Sequence, residues 1–94
     1  MFSGGTYGEV ARWLQNFVTS HAKRENVHVE VELDVGGERE GKSYGARLRL
    51  GARLTPLGEF DFQDVAQNRG SLAWCAARAE QTRAGVRDLI ATAA

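Results

Sequence analysis

The sequence predicts an α+β domain: a helix, an antiparallel meander of two or three strands, and a closing helix, with both helices on one face of the sheet. Three observations carry that expectation. Residues 7–24 hold apolar side chains at helical spacing, residues 27–35 and 44–54 alternate between apolar and polar, and residues 72–92 return to a helical stripe.

The first helix begins at a capping box. Thr6 and Glu9 have the T-x-x-E spacing in which each side chain can bond the other residue's backbone amide. Val10, Trp13, Leu14, Phe17, Val18 and His21 then share one face. His21, Lys23 and Arg24 suit the negative end of the helix dipole, and Asn26 can end the helix.

Two alternating runs follow. Val27, Val29, Val31, Leu33 and Val35 interleave with His28, Glu30, Glu32 and Asp34, the pattern of a strand with one buried and one wet face. A charged, glycine-bearing connection leads through Gly36, Gly37 and Gly41 into the second run. There Tyr44, Ala46, Leu48, Leu50, Ala52 and Leu54 lie on one side, with Arg47, Arg49 and Arg53 on the other.

Thr55-Pro56-Leu57-Gly58 suits a type I turn. Glu59-Phe60-Asp61-Phe62 alternates once more and reads as a short third strand, pairing Leu54 with Phe60 and Ala52 with Phe62. The competing reading starts a long helix at Asp61, since Val65, Leu72, Ala79 and Val86 are seven apart. Gly70 marks a break and Ser71 an N-cap before the last helix, whose stripe is Leu72, Cys75, Ala76, Ala79, Val86, Leu89 and Ile90. The expected core is Val10, Leu14, Phe17, Val29, Val31, Leu33, Leu48, Leu50, Leu72, Ala79, Val86 and Leu89.

Length and composition fit one domain over residues 1–94, with 1–5 expected to be disordered. Twelve basic and twelve acidic residues cancel, and neither half of the chain carries a large excess. That balance argues against a polyanion or membrane binder. No apolar run reaches the ~18 residues of a membrane helix, and residues 1–5 lack a signal peptide's basic and apolar regions, so a cytoplasmic protein is expected.

The chemistry-bearing residues are few. Cys75, the single cysteine, lies in an apolar run and reads as a small buried hydrophobe. His21 and His28 lack metal-ligand spacing, and the glycines before Lys42-Ser43 lack the phosphate-loop pattern. No metal or other cofactor is expected. Acid–base work by Glu30, Glu32 and Asp61 is the third-ranked function, because carboxylates facing arginines should stay ionised.

Two surfaces stand out. If the strands meander in order, an arginine row (Arg47, Arg49, Arg53) lies between acidic rows. That suits either a salt-bridged wet face or a polar binding face that includes His28 and Glu30. In the last helix, residues 72–77 are six consecutive apolar positions, more than one face can hold. Trp74 and Ala77 then need a second neighbour, either Trp13's helix or another protomer.

The leading expectation is a non-catalytic interaction or assembly module that forms a homodimer, with Trp74, Ala77 and Trp13 at the contact. The second is a nucleic-acid binder using the arginine row or Arg69; the order of elements is also that of double-stranded-RNA-binding domains, but Asn68-Arg69-Gly70-Ser71-Leu72 lacks their lysine cluster, so no family resemblance follows.

Overall fold

The computed structural model describes residues 5–91 of the chain; apart from Gly5, the segment expected to be disordered lies outside them. Helix α1 (Tyr7–Glu25) is followed by strand β1 (Glu30–Asp34), a 3-10 turn at Gly37–Arg39, strands β2 (Ser43–Leu50) and β3 (Arg53–Asp61), and helices α2 (Phe62–Asn68) and α3 (Leu72–Ala91). The strands form one antiparallel sheet in the order β1-β2-β3, and α1 and α3 pack on the same face of it. This is the α+β meander that the residue pattern predicts.

Both ends of α1 follow from local chemistry. The Thr6 hydroxyl oxygen accepts from the Glu9 amide at 3.2 Å, and the hydroxyl donates to the Glu9 carboxylate at 3.1 Å. At the other end Asn26 turns extended and donates its amide to Ala22 at 3.1 Å. Its side chain accepts from the His28 amide at 2.9 Å, which holds Val27 and His28 in a turn. Val27 is therefore 66% exposed rather than in the core, and pairing begins only at Glu30. The strand expected over 27–35 shortens to five residues for this reason.

The second alternating run divides in two. Gly51 takes φ +63° and Ala52 does not share the positive sign, the arrangement of a two-residue II′ hairpin turn. Leu50 then faces Arg53 and Arg49 faces Leu54. The turn expected at Thr55–Gly58 is strand instead. Pairing nine residues of β3 along β2 satisfies more backbone groups than a short strand at 59–62 could.

Pro56 is tolerated because β3 is an edge strand with a bulge beside it. Gly58 opposes Ala46 and Pro56 opposes Arg47, so Leu57 is the extra residue. The hairpin turn and the bulge each invert which side chains face the helices. Arg53 therefore lies on the helix side of the sheet with Leu50, while Leu54 and Pro56 share the outer face with Arg49 and Arg47. Beyond the bulge Phe60 is inward again, opposite Tyr44.

Asp61 closes β3 and caps α2, its carboxylate accepting from the Asp64 amide at 3.0 Å. The strand and helix readings of this region thus each hold in part. The helical region divides at Arg69-Gly70, and Ser71 opens α3 by accepting from the Trp74 amide at 3.3 Å.

The core is built from Val10, Leu14, Val18 and Ala22 of α1, Val29, Tyr44, Ala46, Leu48, Phe60 and Val65, and Ala79, Val86 and Leu89 of α3. Phe17, Val31, Leu33 and Leu50 pack at its margin. Leu72, expected inside, is 89% exposed. Leu72 opens α3, and the half-buried places in that first turn go to Trp74 and Cys75. Trp74 turns inward in its place.

Candidate functional site

The outer face of the sheet carries the charge pattern that the alternation predicts. Glu30 lies opposite Arg49 and Glu32 opposite Arg47 in the β1–β2 register. Arg49 donates to Glu30 at 2.7 Å and Arg47 to Glu32 at 3.0 Å, while the Arg49 Nε sits 3.3 Å from Glu32. These pairs are substantially exposed, so each contributes at most about 1 kcal/mol.

The β3 side differs from expectation. Glu59 lies opposite Gly45 and Asp61 opposite Ser43, so neither meets an arginine of β2. Arg53 leaves the arginine row because the hairpin turn places it on the other side of the sheet. Arg39, which no periodicity marks, takes its place on the outer face. It reaches back from the β1–β2 connection and donates to Asp34 at 2.7 Å and, through Nε, to Glu59 at 3.0 Å.

Gly45 makes room for this crossing: a Cβ there would stand 3.0 Å from the Arg39 guanidinium carbon. A glycine inside an alternating strand is the sequence signal that something passes close by. Glu59 is held below the usual carboxylate range by the hydrogen bond from Arg39, and Arg39 is raised in return. Asp34, Arg39, Gly45, Arg47, Pro56, Gly58 and Glu59 line an open depression of about 380 Å³. Its cations and anions are paired with one another, so the face is a neutral mosaic rather than a charged field. His28 stands apart from it, exposed in the turn before β1.

The helix side holds the second candidate surface. Trp74 finds its neighbour within its own chain: its ring lies 6.2 Å from Trp13 and 6.5 Å from Phe17, centroid to centroid. Trp13 stacks on Phe17 at 4.9 Å, and His21 meets Phe17 edge-on at 4.7 Å. The Trp74 indole donates to Asp64 at 3.3 Å, and the Arg78 guanidinium lies 5.8 Å from the ring centre. Both tryptophans are half-buried by this seam.

The apolar surface left over is therefore Leu72, Ala73, Ala76 and Ala77, all exposed on the first two turns of α3. Of these the sequence pattern marks Ala77 for a contact, whereas it places Leu72 in the core. Farther along α3, Glu80 accepts from Arg83 at 3.2 Å and from Arg87 at 2.5 Å, and Arg87 also donates to Glu25 at 2.9 Å. Hydrogen bonds from these arginines lower the Glu80 pKa.

Cys75 is half-buried, with its Sγ 3.4 Å from the Arg69 carbonyl oxygen. Among the described residues no three His, Cys, Asp or Glu side chains are grouped to hold a metal ion, and no helix is long and apolar enough to cross a membrane. Compared with protein-family models, curated proteins and solved structures, the chain matches none.

Proposed function

We propose that this chain is a non-catalytic assembly module that pairs with a second copy of itself through α3. The observation that carries the reading is Leu72, 89% exposed and continuous with exposed Ala73, Ala76 and Ala77. These positions are three and four residues apart and so are neighbours on the helix surface. Alanines at such spacing let a second helix approach closely, with Leu72 as the protruding side chain.

The other surfaces support this choice by being less suited to pairing. On the β1 edge, Gln15 donates to the Val31 carbonyl at 2.9 Å and the Tyr7 hydroxyl to the Val35 carbonyl at 3.0 Å. The β3 edge is interrupted by Pro56 and the bulge, two features that discourage strand addition. The outer sheet face is dominated by charges paired with one another, whereas the exposed positions in the first two turns of α3 are apolar. The same pairing weighs against nucleic acid, since Arg47 and Arg49 each face a carboxylate.

Sedimentation velocity across about 5–200 µM tests the reading, a range that brackets micromolar dissociation constants. A mass that rises reversibly from monomer to dimer is expected. A monomer throughout overturns it.

A further inference from the structure

The exposed side of α3 is complementary to itself when reversed. Leu72 and Ile90, 89% and 40% exposed, are 18 residues apart, which is five full helical turns, so they lie on one line. Between them Ala76, Glu80, Arg83 and Arg87 fall within an arc of about 80°. Apolar residues thus stand at both ends of the stripe, with Glu80 and Arg83 near its middle and Arg87 one turn beyond, Glu80 bonded within the chain to both arginines and Arg87 also to Glu25.

We infer that the dimer forms by antiparallel packing of α3 on its copy, with Leu72 against Ile90 of the second copy and Glu80 against Arg83. This rests on the assembly reading above and adds the register, taking Leu72 and Ala76 from that patch and leaving Ala73 and Ala77, about 100° and 140° round the helix from Leu72, outside the stripe. A two-fold axis beside residue 81 brings the two ends together in apolar contact. It sets Glu80 about 1.5 Å along the axis from the second copy's Arg83, and Ala76 the same distance from the second copy's Arg87. The aliphatic stem of Arg87 can then lie on the alanine surface.

Parallel packing would instead set each charge beside its own kind. It would place Leu72 on Leu72 and Glu80 on Glu80, which like-charge repulsion opposes. Antiparallel packing turns the same residues into two symmetric acid–base contacts. The stripe is about 30 Å long and one helix wide, so the contact covers on the order of 1,000 Å² in total, the low end for specific interfaces. A dissociation constant in the micromolar range is expected.

A charge swap tests the register. Glu80→Arg alone sets two arginines against each other, and Arg83→Glu alone sets two glutamates, so each variant should dissociate at least about tenfold more readily than the unaltered chain. An equimolar mixture restores both contacts, because one chain then carries Arg at 80 and 83 and the other carries Glu at both. Sedimentation should show the mixed dimer at concentrations where each variant alone is monomeric.

If the unaltered chain dimerises and both variants dimerise equally well, the register is overturned while the assembly reading stands. If neither the variants nor the mixture dimerises, the Glu80–Arg83 contact is overturned. If the unaltered chain is a monomer, both fail. Leu72→Lys with Ile90→Glu is a second complementary pair, read in the same way should either charge variant melt early.

Discussion

Replacing Gly85 with alanine tests how closely α3 rides on the sheet. Two effects oppose each other. In a helix interior the exchange gains about 1 kcal/mol of backbone propensity. Against this, the added Cβ would stand 3.0 Å from Leu48 Cδ1 and 3.4 Å from Leu57 Cδ1. Leu48 is fully buried beneath the helix, so its methyl has little room to yield. Overpacking of this kind costs about 1–3 kcal/mol, and the net expectation is a loss of about 1 kcal/mol.

For a domain of this size that loss lowers the melting temperature by about 4–8 °C. Thermal unfolding followed by circular dichroism measures it, at fixed protein concentration because self-association adds concentration-dependent stability. The control is Leu48→Ala, which opens space under the helix. In that background Gly85→Ala should shed its overpacking penalty and keep the propensity gain, giving a coupling of about 2 kcal/mol between the two sites. A rise in melting temperature from Gly85→Ala alone would show that the helix sits farther from β2 than the contact distances imply.

Two further predictions concern pH. Tyr44 is fully buried, donates to the Tyr7 carbonyl at 2.8 Å, and has its pKa pushed up to about 12, first by burial and then by Tyr7. The folded chain holds this proton more tightly than the unfolded one. The resulting stability is therefore complete below pH ~10 and is lost as pH rises through about 12. Tyr44→Phe should cost about 1 kcal/mol at neutral pH and flatten the alkaline decline in urea unfolding.

His21 has its pKa lowered by burial first and then by Arg24 and Arg83, so the unfolded chain binds its proton more readily. Stability should fall as pH drops below ~6.5. His21→Gln should remove that portion of the decline in melting temperature between neutral and mildly acidic pH. A slope unchanged by the substitution would assign the decline to other groups.

The chain's pattern of alternation revealed that the acidic residues of β1 share a face with the arginines of β2, where Glu30 meets Arg49 and Glu32 meets Arg47, because side-chain period alone decides which residues share a face. It concealed the second hairpin. The two-residue turn at Gly51-Ala52 shifts the inward positions from even to odd numbers, and the bulge at Leu57 shifts them back. The two inversions cancel, so Tyr44 and Phe60 share a face as though nothing intervened. Between them Arg53 and Leu54 exchange sides, and Pro56 and Gly58 mimic a turn.

Caps at Thr6, Asn26 and Ser71 were legible because they depend on neighbours within a few residues. Arg39 was not, since its partners Asp34 and Glu59 meet only once the sheet exists. Leu72 belongs to the apolar stripe of α3 yet stands exposed, because burial in a helix's first turn depends on what packs beyond its end, which no local pattern records.

The Tyr7 hydroxyl is shared between the carbonyls of Val35, at 3.0 Å, and Ser43, at 2.5 Å, which stand at the two mouths of the β1–β2 connection. A side chain from α1 thus cinches the neck of that loop like a drawstring, and Arg39 ties it down from within. Its tip at Glu40-Gly41 is relieved of the task of bringing β1 and β2 together. Extra residues spliced in there would face only the slow logarithmic growth of loop entropy, about 0.6 kcal/mol for each doubling of length. That makes the tip a natural port for grafting a foreign peptide.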